Sequence, residues 1–424
     1  MTERLLQFIW QHQYFTKHSL TTTSGEALEI LSPGVLNHHQ GPDFSNARIR
    51  IDQVIFAGHI EVHCLASDWV KHNHVNDAHY ANVILHVVWE DDAHIRNHHN
   101  KLLPALELKT LVPKILLRRY EQLMNKTSTI ACARFLPALS ALGWAKWKES
   151  LAVERLIQKA NNVIEAWQQT NAHWEETFWR SLAYNFGLKL NADLFLQIAK
   201  TVSVNILAKH KNQIHQLESL LLGQGNLLHG HFTEAYPIML QKEYIFLQKK
   251  YTLQPILLQP NFLRMRPVAF PTIRLAQMAS LIHRSSHLFT TIKELQTVEE
   301  VKQLFAVTAN DYWNDHYVLD KQAHYQVKQI GEQTLNSILI NTVIPALFAY
   351  GQYYQIQAYK EKALYWLHQL KAEQNAIVKV FINHHITCTT ALDSQAILQL
   401  NNQYCKLKKC LQCAVGSQIL KPTI

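Results

Sequence analysis

Apolar and polar residues alternate with a period of two near the start of the chain. The clearest run is Ala47-Arg48-Ile49-Arg50-Ile51, and Ile60-Glu61-Val62-His63 resumes the alternation after a break at Ala57-Gly58. Both runs read as half-buried strands joined by a tight turn. Ala27 to Leu31 predicts an earlier strand, ended by Ser32-Pro33-Gly34, and the apolar run Val83 to Trp89 predicts a buried one. Ahead of them Leu5, Leu6, Phe8, Ile9 and Trp10 form the buried side of a helix over 3–13. The polar segment 67–80 reads as partly helical and 102–108 as an edge strand. This order predicts a mixed β-sheet with flanking helices.

From Val112 the period changes to helical and stays so to about Lys371. Leu151, Ile157, Ala160, Val163, Ile164 and Trp167 keep that spacing, and no fixed-period repeat is evident. The expected fold class is α+β: an α/β domain over 1–111, a helical domain over 112–387 and a Cys-rich segment over 388–424. No apolar run reaches the roughly 18–20 residues of a membrane span. The nearest, Ser337 to Gly351, is broken by Asn341 and Pro345, so no membrane partner is expected. The N-terminus shows no signal-peptide core.

Composition adds little beyond this. Apolar residues at 48% with 17% charged mark an ordinary globular chain, and a formal charge of +9 favours a polyanionic partner such as nucleic acid. Six cysteines in 424 residues do not make a disulfide framework and fit a reducing cytoplasm.

The strand register places candidate chemistry. Asp43 stands at the mouth of one strand, and Glu61 and His63 share a face of the next. Two carboxylates and a basic group there can converge on Mg²⁺ or Mn²⁺. The plainer alternative has Asp43 capping a turn and Glu61 pairing with Arg48 or Arg50. A separate zinc, iron or manganese site could use His72, His74, Asp77 and His79, with His86 as a core residue. In the tail, Cys405, Cys410 and Cys413 give C-x4-C-x2-C among Lys406, Lys408 and Lys409. That spacing suits zinc or an iron–sulfur cluster, with lysines favouring thiolates. The fourth ligand would be Cys388, then Cys64 or Cys132, or His384 or His385 for zinc. Arg264, Arg266 and Arg274 lie beside aromatics and suit phosphate and base contacts, or else surface ion pairs and caps.

The stretches GPDFSNARIRI, GHIEVHCLASDW, VILHVVW, RPVAFPTIRLAQMA, SQAILQL and YCKLKKCLQC resemble the bacterial family catalogued as domain of unknown function 2851. More distantly, residues 1 to about 90 resemble the core of PD-(D/E)xK nucleases. That resemblance implies a restriction-endonuclease-like sheet. Pro42-Asp43 matches the first carboxylate, Glu61-Val62-His63 the second half of the motif, and Glu3 an additional metal-binding acid. Asn76-x-x-x-Tyr80 faintly matches a helix signature of the exonuclease branch. Some members of that branch hold an iron–sulfur cluster through one upstream cysteine and three near the C-terminus. His63 departs from the family's lysine, whose charge Arg50 or Lys71 would have to supply; Arg48 is a further basic side chain for phosphate. Glu107-Leu108-Lys109 keeps a lysine but lacks the Pro-Asp strand. The expected function is a metal-dependent nuclease or nuclease-like nucleic-acid-processing protein hydrolysing phosphodiester bonds, with DNA the first partner to test. One alternative is an inactive nuclease fold that binds nucleic acid or serves assembly. The other is a metalloenzyme of another class.

Overall fold

The computed structural model describes all residues except His38, His98, His99, Thr129, Ser286, Thr423 and Ile424, together with the side chains of all but Asn76 and Pro267 among the rest. It is an α+β protein that divides into two compact units, one made of 1–143 and 401–424 and the other of 144–400. The tail therefore belongs with the N-terminal unit, and the helical unit is continuous in sequence.

In the first unit, helix α1 (Glu3–His12) starts where Thr2 caps the Leu5 N–H, and it buries Leu5, Leu6, Phe8, Ile9 and Trp10. Strands β1 (Leu28–Ser32), β2 (Val35–Leu36), β3 (Phe44–Ile51) and β4 (Val54–Leu65) pair antiparallel. Strand β5 (Val83–Glu90) then runs parallel to β4, and β6 (Ala105–Glu107) parallel to β5. Helix α2 (Asp68–Lys71) and two single 3₁₀ turns, His74–Asn76 and Ala78–Tyr80, make the crossover. On β3, Ala47, Ile49 and Ile51 are buried while Arg48 and Arg50 point outward, as their alternation predicts.

The expected turn at Ala57-Gly58 is a correction. The turn is Asp52-Gln53, with Asp52 at φ 49°, and Ala57-Gly58 lies inside β4. Gly58 serves the sheet instead. A Cβ there would stand 2.5 Å from the Asn82 carbonyl oxygen and 2.5 Å from Ile84 Cγ2, so only glycine lets the chain entering β5 approach so closely. The register of β3 on β4 shifts between Phe44 and Ala47, where Asn46 takes φ 58°. Bulges of this kind re-aim neighbouring side chains, and Asp43 immediately precedes this one.

The second unit is built from helices, with one short hairpin at 316–322. The continuous helical stretch Glu332–Tyr353 is long and apolar enough to cross a membrane by length and composition, but 72% of its apolar window is buried inside the fold. It contains a π turn, Leu339–Val343. Helix α3 (Lys114–Asn125) belongs to the first unit; in the second, α4 (Ala141–Gln169) reaches this stretch through the Lys159–Asn341 hydrogen bond, α5 (Trp174–Phe186) packs against it and α6 (Leu188–Thr201) packs on α5.

Candidate metal centre

Asp43 and Glu61 are interlocked across β3 and β4. The Asp43 N–H donates to Glu61 Oε2 at 3.0 Å, and the Val62 N–H donates to Asp43 Oδ2 at 3.1 Å. From α1, Gln7 Nε2 donates to Asp43 Oδ1 at 2.8 Å. Glu3, one turn earlier on that helix, directs its negative charge at both carboxylates. Burial, then the charge of Asp43, pushes Glu61 far above the usual carboxylate range; burial raises Asp43 as well. Among the described residues neither carboxylate meets a lysine or arginine, and Glu61 is ion-paired only with histidines. A buried acid pair lacking a cation is stabilised in its ionised form by a divalent ion.

Imidazoles close the site. His63 Nε2 lies 3.4 Å from Glu61 Oε1. Its Nδ1 is 2.9 Å from His86 Nε2 on β5, and its Nε2 is 3.2 Å from His72 Nδ1. His74 Nε2 lies 3.5 Å from Glu61 Oε1, and it is buried without a hydrogen bond. One ligand atom from each of His63, His72 and His74 falls within 4.8 Å of the others. Burial, with His86, His74 and His72 nearby, lowers His63 to about 3, leaving it neutral at pH 7 with a lone pair to donate. Tyr80 stacks on His74 at 3.8 Å, and Trp69 meets His63 edge-on at 6.5 Å. The orphaned His74 nitrogen and two acids that meet no lysine or arginine among the described residues fit a metal with mixed nitrogen and oxygen ligands.

The structure thus brings Asp43, Glu61, His63 and Glu3 together, with Tyr80 as a wall; the Asn76 side chain lies outside the described residues. Other expectations are corrected. Arg50 is ion-paired to Glu29 and Arg48 is exposed, so neither reaches Glu61. Lys71 is exposed and bound to Asp68 at 2.7 Å, so it does not supply the missing lysine charge. His79 pairs with Asp77 at 2.7 Å, so the separate four-residue site does not form, and His72 and His74 join the carboxylates instead. That junction was not legible, because nothing in the spacing links a polar loop to Glu61. Lys109 binds Glu90 at 2.7 Å. Arg274 is buried, held by Gln277 at 3.0 Å and Thr334 at 2.9 Å, and cannot touch nucleic acid. Arg264 and Arg266 are exposed.

The tail cysteines gather a fourth from far upstream. Cys132, Cys405, Cys410 and Cys413 line one small cavity in the first unit. Helix Ala414–Leu420 packs tightly there: a Cβ on Gly416 would lie 2.0 Å from the Cys410 carbonyl oxygen. Burial and the neighbouring sulfurs push Cys132 up to about 12 and Cys410 to about 11. The lysines do little against this, for only Lys408 acts on Cys410 and burial outweighs it. Cys388, expected as fourth ligand, lies in the other unit beside Asp393 and Lys148. His384 and His385 belong to that unit too, and Cys64 lies on β4 near Glu3. Four thiols around one cavity, those of Cys132 and Cys413 buried and those of Cys405 and Cys410 half-buried, fit a thiophilic metal or cluster.

The family described as protein of unknown function (DUF2851) matches residues 3–376. The chain belongs to this family. The match covers both carboxylates, the four site histidines and Cys132, and leaves Cys405, Cys410 and Cys413 beyond its end. No curated protein and no solved structure matches this member of the family.

Proposed function

We propose that the first unit is a metal-dependent phosphodiesterase acting on nucleic acid, DNA first among candidates. The observation that carries this reading is the Asp43–Glu61 pair, Glu61 buried and Asp43 half-buried, with histidines and, among the described residues, no lysine or arginine around it. Asp43, Glu61, His63 and His74 would hold the metal, and the imidazoles favour Mn²⁺ over Mg²⁺. When bound, such an ion lowers the pKa of a water and offsets charge on a phosphate oxygen. The chain's own groups do the positioning. Gln7 and the Val62 N–H fix Asp43, the Asp43 N–H fixes Glu61, and Tyr80 and Trp69 hold the imidazole planes. The family lysine's place at His63 is filled by a neutral ligand, so charge on the phosphate falls to the metal.

The test is Mn²⁺ titration by calorimetry alongside degradation of single- and double-stranded DNA, for wild type and Glu61→Gln. Expected are Mn²⁺ binding and Mn²⁺-dependent cleavage in wild type, both lost in the variant. Mn²⁺ binding that survives Glu61→Gln would falsify the site. Wild-type DNA binding that weakens with salt but yields no cleavage selects the inactive-module alternative. A zinc or iron–sulfur centre at Cys132, Cys405, Cys410 and Cys413 accompanies this proposal as a separate stabilising site.

A further inference from the structure

The helical unit contains a cavity of about 510 Å³, the size of a small-molecule site. Lys159 of α4, Arg180 of α5 and Lys200 of α6 converge on it from three helices, and no Asp or Glu lines it among the described residues. Arg180 is committed to Glu176 at 2.9 Å. Lys159 is different. Its ammonium donates to Asn341 Oδ1 at 2.9 Å, Gln395 Oε1 at 2.8 Å and the Ile340 carbonyl at 3.4 Å, all of them uncharged acceptors. Lys200 makes no ion pair in the described structure.

Two lysines that make no ion pair among the described residues therefore line one cavity. The π turn Leu339–Val343 builds its far wall. Asn341 and Thr342 of that turn both line the cavity, and the carbonyl of Ile340 in the same turn is what Lys159 binds. Single π turns within long helices are often kept at functional sites, because they carry a cost in regular hydrogen bonding. Thr342 Oγ1 accepts from Asn185 Nδ2 at 2.8 Å, which leaves amide and hydroxyl groups on the same wall. Val163 and Leu196 make other parts of the lining apolar. Burial, then Arg155, lowers Lys159 to about 7, with Glu373 opposing in part; an anion in the cavity would restore its full charge.

We infer that this cavity binds a small organic phosphate of mononucleotide size. Two lysines without an ion pair match the roughly −1.5 to −2 charge of a phosphate monoester better than the single charge of a carboxylate. The apolar and amide surfaces suit an attached ring. The site stands apart from the carboxylate–histidine centre in sequence and chemistry, and it does not depend on the function proposed for that centre.

Calorimetry on the full chain with adenosine 5′-monophosphate tests this, with adenosine and inorganic phosphate as controls. The nucleotide should bind saturably, inorganic phosphate more weakly and adenosine not at all. Lys200→Ala, at an exposed position, should weaken nucleotide binding about tenfold or more, the worth of one charge-assisted hydrogen bond. Lys159→Met should weaken it further, and Glu61→Gln should leave it unchanged. Adenosine binding as tightly as the nucleotide, no nucleotide binding at millimolar concentration, or affinity undiminished in Lys200→Ala would each overturn the assignment. So would affinity lost in Glu61→Gln.

Discussion

Two acids buried without a lysine or arginine partner among the described residues, Glu218 and Glu61, serve different ends. Glu218, fully buried, accepts from Asn310 at 2.7 Å, Tyr236 at 2.9 Å and Trp313 at 3.1 Å. Its role is to tie three parts of the helical unit together. Asp43 and Glu61 face one another with imidazoles and no comparable set of side-chain donors. The contrast yields a pH prediction. Burial raises Glu218 from 4.5 to about 7, its donors only partly opposing. The folded chain therefore binds this proton more tightly than the unfolded chain. The stability so gained is fully present below pH 4.5 and is lost as pH rises through about 7. Urea unfolding of the helical unit at several pH values should show this loss, roughly 3 kcal/mol at most, and Glu218→Gln should flatten it. Asp43 and Glu61 are raised too, so the difference between the two proteins is the quantity to compare. At this scale the sequence was a fair guide where local alternation decides, as with Glu61 beside His63. It was a poor one for Arg274, whose burial depends on Thr334 in another helix.

Gly58 shows how the bounds of an element can be misread while the spacing along it is kept. A glycine between two alternating runs signals a turn or a close backbone approach with equal force. Val54, Ile55 and Phe56 are exposed by 55%, 49% and 39% and extend β4 beyond its buried part. The period of two survived the wrong turn because Glu61 and His63 are two apart wherever the strand begins. The cysteines show the opposite. Cys405, Cys410 and Cys413 announce themselves by spacing, whereas Cys132 sits after helix Lys114–Asn125 with no local mark. The consequence is testable by elemental analysis and the visible spectrum of anaerobically purified protein. Cys132→Ser should lower bound zinc or iron as much as Cys410→Ser does, and Cys388→Ser should change nothing. Equal metal content in wild type and Cys132→Ser would remove the site.

At the scale of the whole molecule, the chain leaves its first unit at 143 and re-enters it at 401. Val415, Ile419 and Leu420 are buried, and Arg119 donates to the carbonyls of Ile419 and Lys421, both at 3.1 Å. Removing 401–424 should therefore destabilise the N-terminal unit selectively. Limited proteolysis should cut the truncated chain first within 1–143 and spare 144–400; uniform digestion would contradict the division. The sequence suggested three consecutive segments because periodicity reports local structure and says nothing of which segment returns to which. A break in pattern near Val112 was visible, but the return of the tail was not.

That return also sets a timetable. Synthesis at about 5–20 residues per second puts tens of seconds between the emergence of Cys132 and that of Cys405. During that interval Cys132 is a lone thiol, while the segment 144–400 between them is still being made. Completion of the four-sulfur pocket thus waits until synthesis has passed Cys413. A ribosome halted anywhere in that segment leaves a nascent chain with a single cysteine of the quartet and nothing yet to complete it.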